Sequence, residues 1–278
     1  MAPKLLVVGG GKMGEALVRG LLRAGWARPG DLVLSEVSPA RRSLLADEPE
    51  LAGVALVGEE LPAAEGTVVA VKPPDVEGVC RRLRPMPGPG AGATPSVRAL
   101  SIAAGVRLAD LQAWCGPAVR VVRAMPNTAA LVGEAATGIS GGPGTDREDI
   151  DWAASLMSSV GSVVEVPEAL LDAVTGLSGS GPAYLFLVAE AMTEAGVLAG
   201  LPRDVSARLV TQTFVGAARL LSETGSSPEA LRAAVTSPAG TTAAGLRQLE
   251  ARGTRSAFIE AVAAATDRSR QLAPAPSA

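Results

Sequence analysis

The chain contains no histidine. That absence removes every Ser-His-Asp triad, every imidazole proton relay and every histidine-bearing metal centre. Its two cysteines, Cys80 and Cys115, have neither CxxC spacing nor histidine company. They read as ordinary reduced thiols rather than a disulfide or redox pair, and no metal site is expected. Aromatic residues are only 3% against 47% hydrophobic residues overall, so the core must be aliphatic and rich in alanine. No apolar run reaches the ~18 residues that span a bilayer. Residues 181–201 come closest, but Glu190 and Glu194 interrupt them. The apolar run at the start is too short for a signal peptide, so a cytoplasmic setting is expected. Basic blocks are missing as well, and a net charge of −3 offers nothing to nucleic acid or an anionic membrane surface. The chemistry is left to a bound cofactor, to backbone groups, and to Ser, Thr, Lys, Tyr or carboxylates.

What is present begins at the start of the chain. The apolar block Leu5 to Val8 runs into the spacing Gly9-x-Gly11-x-x-Gly14, and a helical apolar pattern follows at Leu17, Leu21 and Leu22. Strand, glycine turn and helix together form a dinucleotide-binding fingerprint. Gly9 allows the sharp turn, Gly11 lets a pyrophosphate approach the backbone, and Gly14 lets the helix pack closely. The helix start then offers free N–H groups and a positive dipole end.

The 278 residues suffice for two domains. In the first half, strand-like runs at Leu32–Ser35, Val54–Val57, Thr67–Val71, Val97–Ile102, Ala118–Arg123, Ala136–Ser140 and Val163–Val166 alternate with helical or turn segments. That alternation predicts an α/β domain over residues 1–166, a doubly wound and mostly parallel Rossmann sheet. The Pro- and Gly-rich stretch Pro85–Pro95 reads as a surface loop. From Pro167 the strand signals stop, and residues 167–272 read as an all-helical domain followed by a frayed tail, 273–278. Its helix Pro182–Ala199 is apolar on nearly every face and must be buried on all sides. A domain of this size struggles to surround such a helix alone, so a second subunit is expected to complete the burial.

Several segments are candidates for chemistry. Glu36 lies about 20 residues beyond the glycines, where a carboxylate bonds the adenosine ribose and favours NAD. Arg41 and Arg42 follow closely, and an arginine there holds a 2′-phosphate or simply lies on a solvated helix face. The residues leave NADH against NADPH open. Lys72-Pro73-Pro74 and Pro126-Asn127-Thr128 each follow a strand's carboxyl end, where ligands lie in open α/β sheets. In the helical half, Leu177–Tyr184 reads as a glycine-serine turn opening the apolar helix, and Thr236–Thr242 opens another. Both present amides and hydroxyls suited to a small carboxylate, or to simple capping.

Together the motifs resemble the Δ1-pyrroline-5-carboxylate reductase family of proline biosynthesis. The resemblance spans nearly the whole chain. It rests on Gly9–Gly14, Ala70-Val-Lys-Pro73, Arg123-Ala-Met-Pro-Asn-Thr128, Ser178-Gly-Ser-Gly-Pro-Ala-Tyr184, Val235-Thr-Ser-Pro-Ala-Gly-Thr-Thr242 and Arg268-Ser-Arg-Gln-Leu272. It implies a C-terminal dimerisation domain whose helices interleave between two subunits, homodimers that assemble into decamers, and a substrate site at the dimer interface. It places Ser237, Gly240, Thr241 and Thr242 on the substrate, 1-pyrroline-5-carboxylate, with Ser180 of the earlier turn beside them. Loop amides would take the carboxylate, and Thr242, as the catalytic residue, would face the ring nitrogen. Tyr184 is the other candidate donor. Gly9, Gly11, Lys12, Met13, Gly14, Ser35, Glu36, Arg41, Val71, Lys72, Pro73 and Asn127 would line the cofactor, NADPH or NADH. The missing histidine is then intelligible, because a protonated imine needs no strong protein acid to accept hydride and become L-proline. Three positions depart from the family pattern: Ala239 for a second glycine, Ala129 for a frequent proline, and Pro74 for a usual glutamine. Imine reductases and β-hydroxyacid dehydrogenases, the neighbouring reductase classes, rely on a Lys or Asp in the interdomain helix, and residues 181–200 contain neither.

Overall fold

In the computed structural model, which describes residues 3–83 and 97–272, the first part of the chain builds one eight-stranded sheet. The stretch Pro85–Pro95 and the tail 273–278 lie outside the described residues. The strands are β1 (Leu5–Val8), β2 (Leu32–Ser35), β3 (Ala55–Val57), β4 (Gly66–Val69), β5 (Val97–Ser101), β6 (Val119–Met125), β7 (Ala135–Gly141) and β8 (Gly161–Glu165). Their order across the sheet is β3-β2-β1-β4-β5-β6-β7-β8. All neighbouring pairs are parallel except β6 with β7, which the short connection through Thr128–Val132 turns back antiparallel. The order reverses between β1 and β4, and the crevice at that reversal is where a doubly wound sheet binds ligands.

The helices of this part are α1 (Lys12–Arg23), α2 (Pro39–Ala46), α3 (Val76–Cys80), α4 (Leu108–Cys115), α5 (Arg147–Met157) and α6 (Leu171–Val174). Successive strand residues point to opposite faces, so the sheet sorts its apolar side chains into two cores. Leu5, Val7, Leu32, Leu34 and Leu100 pack with Leu17 and Leu21 of α1, Leu45 of α2 and Leu156 of α5. Leu6, Val8, Val33, Val69 and Ala99 pack with Val76 and Cys80 of α3 and Leu108 and Leu111 of α4. Burial on both faces is why these strands read as continuous apolar runs rather than alternating ones.

The remaining helices are α7 (Gly181–Leu198), α8 (Arg203–Glu223), α9 (Pro228–Ala234), α10 (Thr241–Ala251) and α11 (Thr254–Leu272). The chain divides into two compact units, residues 1–180 with 264–278, and residues 181–263. In the first, Ser269 donates to Asp172 Oδ1 at 2.7 Å. In the second, α7 and α8 pack closely because Gly196 has no Cβ: one would lie 2.1 Å from Ser206 Oγ, whose hydroxyl donates to the Thr193 carbonyl at 2.8 Å. The sequence reading buries α7 on all sides, yet within this chain none of its residues is buried. Phe186 is 69% and Leu187 66% exposed. An apolar surface of this extent marks a protein–protein interface rather than a finished exterior. Among the described residues no helix is long and apolar enough to cross a membrane.

Candidate active site

The carboxyl ends of β2, β1 and β4 stand side by side, and the segments leaving them form the first half of the site. Gly9 takes φ +112°, and an added Cβ would meet the Ala70 carbonyl oxygen at 2.6 Å. A Cβ on Gly14 would stand 1.9 Å from the Gly9 oxygen, so only glycine lets the first turn of α1 close on the loop. Gly11 is the reverse case, with nothing within 4 Å of its Cβ position. It caps α1 in an extended conformation with no side-chain bond, leaving the first-turn amides of that helix for a ligand. Open space over Gly11 and free amides beneath it fit a cofactor diphosphate. The motif leaves its second position free, but here a Cβ on Gly10 would strike Leu45 Cδ1 at 2.7 Å and Glu36 Cβ at 2.9 Å. Lys12 is exposed, and Met13 packs against the core beside the turn.

Glu36, just past β2, is fixed by two backbone amides: Gly10 N–H donates to its Oε2 at 2.9 Å and Ser38 N–H to its Oε1 at 2.8 Å. Arg41 donates from Nε to the Gly10 carbonyl at 2.8 Å and pairs through Nη2 with Glu15. Arg42 donates from Nη1 to the carbonyls of Glu36, at 2.5 Å, and Val37, at 3.0 Å. Burial pushes the Glu15 carboxyl up, but its bonds to Arg19 and Arg41 outweigh that, and its pKa lies below the ordinary value. Ser35 is buried and donates to the Gly58 carbonyl at 2.8 Å, so its hydroxyl braces the strand end. The sequence reading missed Gly10 and Glu15. Glu15 left one trace, its i,i+4 spacing to Arg19, with which it pairs at 2.7 Å.

Beyond β4, Val71 is half-buried, while Lys72 and Pro73 are exposed. Lys72 caps the 3-10 turn Pro73–Asp75, where Pro74 fits because the first turn of a helix needs no amide donor. Asn127 follows β6, and its side chain is a bracket. It donates to the Ser178 carbonyl at 3.0 Å and accepts from the amides of Ala129 at 3.2 Å and Ala136 at 3.3 Å. Proline at position 129 would lack the first of those amides. The segment Leu177–Tyr184, expected to be a turn opening the apolar helix, is instead wound on both sides of a bend at Ser180. Residues Thr175–Gly179 form one π turn, with Ser180 N–H donating to the Thr175 carbonyl at 2.9 Å. Thr175 and Ser178 satisfy their hydroxyls on carbonyls one turn back, at 2.9 and 3.0 Å, which keeps the chain wound where Gly and Ser suggest a break.

The second unit holds the other predicted residues. The loop from Ser237 to Gly240 closes with Gly240 N–H donating to the Ser237 carbonyl at 3.0 Å. Ala239 takes φ +57°, a left-handed conformation. A Cβ on Gly240 would lie 2.3 Å from Ser237 Oγ and 3.1 Å from the Ser237 carbonyl oxygen, so a side chain there would have to displace the Ser237 hydroxyl. Gly240 caps α10 without a side-chain bond, and no acidic residue sits in the first turn. The amides after Gly240, with the hydroxyls of Thr241 and Thr242 beside them, suit a small carboxylate. The Tyr184 hydroxyl donates to the Ala261 carbonyl at 3.5 Å.

A family model for pyrroline-5-carboxylate reductase dimerisation matches residues 168–272. A model described as NADP oxidoreductase, coenzyme F420-dependent, matches residues 4–89. The pyrroline-5-carboxylate reductase of Methanosarcina acetivorans is 41% identical over 272 residues, covering 97% of each chain. That of Pisum sativum is 39% identical and covers 95% of this chain and 94% of its own. The solved pyrroline-5-carboxylate reductase from Coxiella burnetii superposes with a TM-score of 0.87 at 34% identity, covering 99% of this chain and 100% of its own. The Plasmodium falciparum pyrroline carboxylate reductase, solved with NADP bound, superposes at 0.79 with 27% identity and 98% of each chain. With a nucleotide turn at one end, a dimerisation segment at the other and full-length relatives near 40% identity, the chain belongs to the pyrroline-5-carboxylate reductase family.

Proposed function

We propose that the protein reduces 1-pyrroline-5-carboxylate to L-proline with NADH or NADPH, the last step of proline biosynthesis. The observation that supports this best is the loop Ser237–Gly240 running into the uncapped start of α10, in the same chain as the open glycine turn of α1. The bound cofactor supplies a hydride from its nicotinamide to the C=N carbon of the cyclic imine. Around that event the chain binds and orients. The first-turn amides of α1 hold the diphosphate, with Lys12, Met13, Val71, Lys72 and Pro73 around the cofactor and Asn127 keeping its wall in shape. Amides after Gly240, with Ser237, Thr241 and Ser180, hold the substrate carboxylate. Thr242 hydrogen-bonds the ring nitrogen as it becomes an amine. The iminium carbon is already electrophilic, so orientation replaces the strong acid that a chain without histidine does not offer.

In this reading residues 1–166 are the nucleotide domain and 167–272 the substrate and dimerisation domain, working in the cytoplasm. The working form is a homodimer assembled further to a decamer, as the family resemblance implies. Mixing the protein with pyrroline-5-carboxylate and either cofactor, and following loss of reduced-nicotinamide absorbance, tests the reaction. Oxidation is expected; none with either cofactor overturns the reading. Thr242→Ala is expected to lower kcat by roughly tenfold to a hundredfold, the worth of one hydrogen bond made in the transition state. Its cofactor Kd should stay unchanged. A wild-type kcat in that variant would remove Thr242 from the mechanism.

A further inference from the structure

NADH and NADPH differ only by a phosphate on the adenosine ribose 2′-oxygen, and the side chains beyond β2 are arranged unequally toward the two. A 2′-phosphate needs free donors and positive charge. Here the Gly10 and Ser38 amides and Arg41 already hold carboxylates of the chain, and Arg42 is turned onto backbone carbonyls. The Gly10 and Ser38 amides, at 2.9 and 2.8 Å, both donate to Glu36. Arg41 is anchored on the Gly10 carbonyl at 2.8 Å and paired with Glu15. Glu15 itself is shared with Arg19, whose other partners are Glu48 at 2.6 Å and Glu50 at 2.7 Å. Arg42 turns its Nη1 onto the carbonyls of Glu36 and Val37. The Ser38 hydroxyl accepts from Arg41 N–H at 3.3 Å as the cap of α2.

Hydroxyls meet a different surface. A carboxylate has about four lone-pair positions, and the two amide bonds to Glu36 leave acceptor capacity for a ribose diol. The same amide bonds fix the rotamer, so accepting from ribose requires little further ordering. A phosphate brought to the same place would carry nearly two negative charges against a fixed carboxylate, and like charges at such range cost heavily.

We propose that this chain selects NADH over NADPH, with Glu36 as the specificity-determining residue and Glu15 as the residue that withholds Arg41 from a 2′-phosphate. The inference rests on the reading of the chain as a nicotinamide-dependent reductase, but binding alone tests it. Titration calorimetry with NADH and NADPH, without imine, should give a Kd for NADH at least about tenfold lower. Kinetic kcat/KM with pyrroline-5-carboxylate should favour NADH by a similar factor. Glu36→Gln keeps the size and removes the charge, and it should collapse the Kd ratio toward unity. Glu15→Gln frees Arg41 and should tighten NADPH while leaving NADH nearly unchanged. Equal or tighter wild-type binding of NADPH overturns the proposal without any variant. So does an unaltered ratio in a folded Glu36→Gln protein. If NADH binds tightly and no imine is reduced, the reductase reading falls while the selection stands; if NADPH is the better hydride source, the reverse holds.

Discussion

Ala239 shows what a single residue decides. Among the described residues it is the non-glycine with positive φ, at +57°. A Cβ in that region crowds the following carbonyl and costs about 1 kcal/mol or more. The sequence posed the question, since the family pattern has glycine there, but offered two answers: crowding, or an ordinary backbone. Only the loop's closure, with Gly240 N–H on the Ser237 carbonyl at 3.0 Å, chooses between them. Ala239→Gly is therefore expected to stabilise the protein by about 1 kcal/mol, less the extra freedom glycine has when unfolded. A urea melt reads this as a higher midpoint at unchanged slope, and a lowered midpoint would show the strain to be absent. The glycines of the cofactor turn were legible because their requirement is local: Gly9 turns, and Gly14 meets the Gly9 oxygen. Gly10 was not, because Leu45 and Glu36 reach it only once α2 has packed.

At the scale of elements, hydrophobic runs and turn residues located the strands and helices. They did not reveal how elements are tied to one another. Asn127 read as a turn residue that could meet a ligand, whereas its side chain joins the end of β6, the start of β7 and the π turn before Ser180. Nothing in Pro-Asn-Thr announces a partner so far along the chain. Asn127→Ala removes all three bonds and is expected to cost roughly 1–3 kcal/mol, read as a lower denaturation midpoint. The tie between α1 and α2 is electrostatic and carries a pH signature. Glu15 has a folded pKa below its ordinary 4.5, despite burial, because Arg19 and Arg41 bond its ionised form. A depressed carboxylate contributes stability that is present above its unfolded pKa and lost as pH falls through the folded one. The stability gap between wild type and Glu15→Gln should thus be full at neutral pH and shrink as pH falls below 4.5. Chemical denaturation across that range checks it, and a gap constant with pH would show that the ion pairs do not couple α1 to α2.

For the molecule as a whole, composition was the better guide. A helix apolar on nearly every face cannot be the exterior of a finished protein. Among the described residues of 181–263, the buried ones are Ser206 and Val210, so this unit has almost no core of its own. Leu185 at 53% exposure, Phe186 at 69% and Leu187 at 66% occupy consecutive positions of α7, so they spread around the helix rather than along one stripe. Burying them takes surfaces on several sides, and the dimerisation family model covers this same stretch. Apolar pattern records burial without recording its source, so it was the small size of the helical domain, not the pattern, that pointed to a second subunit as the cover for α7. Phe186→Glu should therefore act on assembly before it acts on chemistry. Placing a charge where an aromatic ring is desolvated by a partner costs several kcal/mol across the two copies of a symmetric interface. The variant is expected to run at lower mass than wild type in light scattering at the same concentration, and to lose reductase activity with it. Its nucleotide turn should remain intact, so NADH binding by calorimetry should persist. Wild-type mass in a folded Phe186→Glu protein would place α7 outside the subunit interface.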